Sequence, residues 1–191
     1  MFLSIVFVAI SIVGLSQTSS GIWNSKTATY TNTVHKITWQ LIEDLEWVRR
    51  PILEGSTLLK VRNDDTKILI KLGATKTESS DEDVWDYIQM FESPEFVKPQ
   101  KQLAAHNGME YIGTKAVKSQ LCGIHAVKTR ADMKKHFPEY EQTVHSIEIT
   151  YSLYRNSYIY TVTVTALSVL EEEIPDFDKI ATMIFNGFKI K

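Results

Sequence analysis

The sequence predicts an α+β fold, an antiparallel sheet of hairpins with helices packed on its faces. Three observations predict it. Residues 144–167 carry two period-2 runs around a polar break. Residues 57–72 repeat that design around a longer one. The stretch after Pro175 changes to apolar residues at helical spacing. Strands joined by hairpins, with few helices, indicate antiparallel pairing instead of alternating βαβ units.

The first 33 residues stand apart from that pattern. Residues 2–15 form an uncharged apolar run. At about 1.5 Å per residue it falls short of a bilayer core of roughly 30 Å, a length that suits a signal-peptide h-region. Small residues at Gly14-Leu15-Ser16 or Thr18-Ser19-Ser20 offer cleavage sites, so residues 1–20 read as a signal peptide. No Lys or Arg precedes the run, which leaves an uncleaved anchor or a buried segment as alternatives. Residues 21–33, rich in Ser, Thr and Asn, read as a flexible entry segment, and residues 34–191 as a single α+β domain.

Within that domain, Val34–Leu41 fits an opening strand. Ile37, Leu41, Leu45 and Val48 equally fit a helix ended by Arg50-Pro51. Thr57–Val61 and Lys67–Leu72 form a hairpin in which Leu59 and Val61 answer Ile68, Ile70 and Leu72. Ser80 reads as an N-cap, followed by Asp81, Glu82 and Asp83 where a helix dipole favours negative charge. Val84, Tyr87, Ile88 and Phe91 make that helix's apolar stripe, and Ser93-Pro94 ends it. Gln102–Ala105 and Met109–Val117 read as strands around an Asn107-Gly108 turn. Leu121–Lys128 is a further strand, and Arg130–His136 a helical turn stopped by Pro138.

The hairpin at 144–167 is the organising element. Ile147, Ile149, Tyr151 and Leu153 share one face, as do Tyr158, Tyr160, Val162 and Val164. With Arg155 and Asn156 as central turn residues, Leu153 faces Tyr158, Tyr151 faces Tyr160 and Ile149 faces Val162. Last comes a helix opened by Pro175-Asp176, with Phe177, Ile180, Ala181, Ile184 and Phe188 on its apolar face and Gly187 at its C-cap. Its natural partner is the apolar face of the hairpin.

Composition narrows the function. With 43% apolar residues, 23% charged and a net charge of −2, the chain lacks the basic footprint of a nucleic-acid binder. Cys122 is the only cysteine, so no internal disulfide forms. Its apolar neighbours argue for burial and against an activated thiolate. The histidines at 35, 106, 125, 136 and 145 make no metal-ligand spacing, and the eight glycines make no phosphate loop or nucleophile elbow. Glu171-Glu172-Glu173 reads as a solvated turn, and nothing fixes the separation of Glu110 from Glu148. No catalytic, cofactor-binding or metal-binding set emerges, and no cofactor is expected. Tyr151, Tyr158 and Tyr160 suit either the core or a partner interface.

Four stretches carry a resemblance to a family. They are Ile42-Glu43-Asp44-Leu45-Glu46-Trp47, Leu121-Cys122-Gly123-Ile124-His125-Ala126, the Tyr-rich hairpin 147–164, and the ending Ile180-Ala181-Thr182-Met183-Ile184-Phe185-Asn186-Gly187-Phe188. In these the chain resembles the PsbP-like superfamily over roughly residues 34–191. The resemblance implies an α/β/α sandwich and a binding or assembly role without catalysis. No family metal-binding or Ran-binding residues match positions here.

The expectation is therefore an exported, periplasmic or secreted domain, not an enzyme, that binds an unknown protein partner. It would bind no nucleic acid and keep no stable membrane span once its leader is removed. A small-ligand or metal-binding domain, with a Tyr- and His-lined pocket between sheet and helix, is the alternative. A hydrolase would need Cys122 within reach of His125 or His145.

Overall fold

The computed structural model describes residues 21–52, 55–77 and 83–191. Two antiparallel sheets organise them. The larger has seven strands: β4 (Val48–Arg49), β5 (Thr57–Asn63), β6 (Ile68–Lys76), β7 (Glu110–Leu121), β8 (Ile124–Phe137), β9 (Gln142–Arg155) and β10 (Tyr158–Leu170). Their order is β4-β5-β6-β10-β9-β8-β7, so the Tyr-bearing hairpin supplies the central strand. The smaller sheet holds β1 (Ile22–Asn24), β2 (Thr29–Asn32), β3 (Ile37–Gln40) and β11 (Phe188–Ile190), in that order. The helices are α1 (Pro94–His106) and α2 (Ile174–Asn186), and a 3-10 segment, Val84–Glu92, precedes α1.

One face of the large sheet meets α2 and the small sheet. Phe177, Ala181, Ile184 and Phe185 of α2 are buried in a core shared with Tyr30, Trp39, Leu153, Tyr160, Val162 and Phe188. Each large apolar side chain there contributes about 1.5–3 kcal/mol. The Trp39 indole N–H donates to the Ile184 carbonyl at 2.8 Å, locking the small sheet to the helix. On the opposite face, the 3-10 segment and α1 cover β7 and β8. Glu92 accepts from Ala116 N at 2.9 Å, and Thr114 Oγ1 donates to Gln100 Oε1 at 2.5 Å.

The hairpin forms with a different turn. Asn156 and Ser157 are the central residues, with φ of 50° and 61°. A two-residue hairpin turn of this hand needs positive φ at both, which Asn tolerates better than Arg. The register therefore moves by two: Leu153 pairs with Tyr160, Tyr151 with Val162 and Ile149 with Val164. A shift of two keeps every apolar residue on its face.

Other expectations change more. The flexible entry at 21–33 contains β1 and β2, with Tyr30 fully buried. Of the two readings for 37–48, the strand holds, as β3. Ser93-Pro94 begins α1 instead of only ending a helix: Ser93 Oγ accepts from Phe96 N, and proline is favoured at a first helical position. Gln102–Ala105 is therefore helical, and Asn107-Gly108 is the helix end. Arg130–His136 continues β8, because pairing with β7 and β9 on both sides outweighs its polar composition. Phe188 leaves α2 to start β11. Ser80, Asp81 and Glu82, like the apolar run at 2–15, lie outside the described residues; Asp83 caps the 3-10 segment by accepting from Trp85 N at 3.0 Å.

Candidate functional site

An open cleft of about 270 Å³ lies where α2 and β11 meet the β7–β8 end of the large sheet. Strand alternation points Tyr151 of β9 toward α2, and helical spacing brings Phe185 above it. Their rings meet at 4.6 Å, tilted by 60°. Lys128 Nζ, from the next strand, stands 5.8 Å from the Tyr151 ring centre, within cation–π range. Gln120, Thr182, Asn186 and Lys189 supply the polar rim, and Cys122 borders it. No carboxylate is among the lining residues. Such a site can hold an apolar or aromatic group and offers cations, not anions, at its mouth.

Tyr160 does not belong to it. Only 1% exposed, it donates or accepts a hydrogen bond with His35 Nδ1 at 3.0 Å. Burial pushes its phenol up to about 12, and the same burial lowers the His35 pKa. Tyr158 is half-buried and meets the His35 ring edge-on at 4.8 Å. A second buried pair lies beside it, with Asn32 Nδ2 donating to the Tyr30 hydroxyl at 3.1 Å. Of the three tyrosines, Tyr160 is core, Tyr158 is partly core, and Tyr151 faces the cleft.

The histidines stay apart. His125 pairs with Gln120 and His145 with Lys134, nine residues further along β8, a separation of roughly 30 Å at strand rise. His125 stacks on Trp85 at 3.6 Å, its Nδ1 lies 2.7 Å from Asp83 Oδ2, and the Trp85 indole N–H donates to the Ser119 and Ala126 carbonyls. The Trp85 N–H, and secondarily His125, hold the Asp83 carboxyl below its usual range. This exposed carboxylate–imidazole pair has a base's geometry, yet among the described residues no thiol or hydroxyl is bonded to the His125 ring. It fastens the 3-10 segment to the sheet.

Cys122 is exposed at the β7–β8 turn, not buried as its apolar neighbours implied. It holds φ 47° beside Gly123 at 81°, and turn geometry overrides local hydrophobicity. Partial shielding from solvent pushes its thiol pKa up, outweighing the Ile190 backbone bond and the Arg155 charge, so the thiolate is not favoured. Among the described residues no group of three His, Cys, Asp or Glu stands ready for a metal. Glu110 pairs with Lys134 at 3.4 Å, while Glu148 accepts from Thr165 at 3.4 Å. Phe185 and Lys128 escaped the sequence reading. The signal for Phe185 was its place four residues after Ala181, which widens the helix stripe.

A comparison with protein-family models finds no match, and none of the curated proteins matches the chain. Solved structures do. The solution structure of cyanobacterial PsbP (CyanoP) from Synechocystis sp. PCC 6803 aligns over 94% of this chain and 99% of its own, with a TM-score of 0.50 and 11% identity. The fold is PsbP-like. LpqN, involved in cell envelope biogenesis of Mycobacterium tuberculosis, matches 81% of this chain and 83% of its own at a TM-score of 0.46 and 14% identity. The Ran-binding protein Mog1p of Saccharomyces cerevisiae matches 83% and 92% at 0.42 and 9%. At 11% identity the likeness to CyanoP establishes the fold alone, an antiparallel sheet with helices on both faces. Among the described residues no helix is long and apolar enough to cross a membrane.

Proposed function

We propose that this chain is an exported, non-catalytic domain that acts through protein–protein contacts. The observation that carries the reading is the Tyr151–Phe185 pair at the floor of an open cleft whose lining holds no carboxylate. A half-buried tyrosine with an apolar body and a polar tip is a preferred interface residue. Exposed Met183 on α2 and Val117 on β7 extend the apolar surface nearby. The apolar run at 2–15 supports export.

Photo-cross-linking tests it. A benzophenone side chain placed at Tyr151 or Met183 captures a discrete partner in cells, and the same group at exposed Ile22 does not. Capture at no position, with a monomer by light scattering, rejects the reading. N-terminal sequencing of the mature chain, with fractionation of the cells, tests export: a start near residue 21 supports it, and a retained Met1 in the cytoplasmic fraction rejects it.

The cleft also favours a second reading, a small-ligand domain. Its volume of about 270 Å³ falls just below the range of ligand sites, roughly 300–1,000 Å³, and suits a small metabolite. A metabolite present at about 100 times its dissociation constant raises stability by about 2.7 kcal/mol, which a thermal-shift panel detects.

A further inference from the structure

The seven-stranded sheet ends, among the described residues, at β7. The two-residue turn at Cys122 and Gly123 makes Leu121 and Ile124 the first hydrogen-bonded pair of the β7–β8 hairpin. Alternation assigns the remaining backbone groups. Lys115, Val117, Ser119 and Leu121 bond to β8, while Thr114, Ala116, Lys118 and Gln120 turn theirs to the open edge. One edge donor already holds a carboxylate, since Ala116 N donates to Glu92 Oε1 at 2.9 Å. Lys115 and Lys118 are exposed on opposite faces of the strand, and Val117 between them is 39% exposed. Toward Leu121 the edge runs into the cleft, whose lining adds Lys189 and no acid.

We propose that an extended acidic segment of a partner protein adds to β7 as a further strand. This rests on the protein-binding reading above and specifies the partner's conformation and charge. Main-chain bonds to Lys118 and Gln120 hold the segment, and its acidic side chains meet Lys115 and Lys118. An apolar side chain on the α2 side enters the cleft above Tyr151. Charge decides against a second copy of this chain. Antiparallel β7–β7 pairing through this stretch brings lysines of the two chains opposite or diagonal to each other.

The test is fluorescence anisotropy of the full chain with a labelled peptide of about eight residues whose Glu residues stand in adjacent pairs, so that both strand faces carry acid, around a central Val-Phe step. Saturable binding is expected, with no binding of the counterpart carrying Lys for Glu. Gln120→Pro removes an edge-facing N–H and leaves the β8 ladder intact. It weakens binding about ten-fold or more at an unchanged melting temperature, whereas Gln120→Ala, which keeps the N–H and trims only the amide at the cleft rim, weakens it far less. If the proline variant does not fold, the pair Lys115→Glu and Lys118→Glu keeps every backbone group and transfers binding to the Lys peptide. Equal binding of both peptides, binding of neither, or wild-type affinity in folded Gln120→Pro overturns the proposal. So does a dimer that Gln120→Pro disperses, since the edge then belongs to a second copy. Capture from Tyr151 that persists in Gln120→Pro leaves protein binding standing and removes only the edge mode.

Discussion

The Tyr160 hydroxyl lies 3.0 Å from Nδ1 of His35, a residue 125 positions away. The bond joins the central strand of the large sheet to the loop between β2 and β3 of the small one, inside the core. Two polar groups are thereby satisfied where neither meets water.

Tyr160→Phe leaves the His35 nitrogen buried without that partner and should lower stability by about 1–3 kcal/mol in denaturant melts. The pH dependence has two limbs. Burial lowers the His35 pKa, so the unfolded chain binds the proton first, and stability falls as pH drops below about 6.5 toward the folded value. Tyr160 is raised from 10.0 to about 12, so stability falls again as pH rises through that window. His35→Gln should flatten the acid limb, and Tyr160→Phe the alkaline one.

Gly187 ends α2 with φ of −78°, an ordinary value for any residue. Its constraint is proximity: an added Cβ would collide with the Gln40 carbonyl oxygen, and Gln40 N donates to the Gly187 carbonyl at 3.1 Å. Gly187→Ala should therefore destabilise by about 1–3 kcal/mol as an overpacked contact, measured by thermal unfolding. A neutral result would show that β3 and α2 can part there.

Asn63, 1% exposed, accepts from Thr66 N at 2.7 Å and from Thr66 Oγ1, and donates to the Glu46 carbonyl at 2.9 Å. It holds the β5–β6 turn against the loop before β4. Asn63→Ala should cost about 1–3 kcal/mol. Asn63→Asp sets a buried carboxylate oxygen against the Glu46 carbonyl in place of a donor, so it should cost at least as much in the same melt at neutral pH.

Cys122 should label with maleimide in the native protein, since it is exposed. With its thiol pushed above the ordinary value of 9.0, labelling should be slower at neutral pH than that of a free thiol and should accelerate at higher pH. Labelling only after denaturation would contradict the exposed turn.

How much of this was legible beforehand depended on the range of the interaction. The hairpin faces were legible, since period-2 alternation belongs to a single strand; Tyr151 and Tyr160 each point as their neighbours require. The turn was not settled by alternation, which is blind to a register shift of two. The α1 start was missed because Ser93-Pro94 is both a stop and a start, and only the following chain chooses. Of the cleft, Tyr151 was visible. Phe185 joins it, and Lys128 reaches the Tyr151 ring, through pairings between elements far apart in the chain.

The sequence by itself determined the class of fold and which side of each central strand is greasy, because those follow from spacing along a few residues. Only the tertiary structure decided that Tyr160 is core while Tyr151 lines a cleft, that Cys122 is exposed, and that β7 ends the described sheet. Each depends on what covers a residue, and covering is done by distant segments whose arrival no local pattern records.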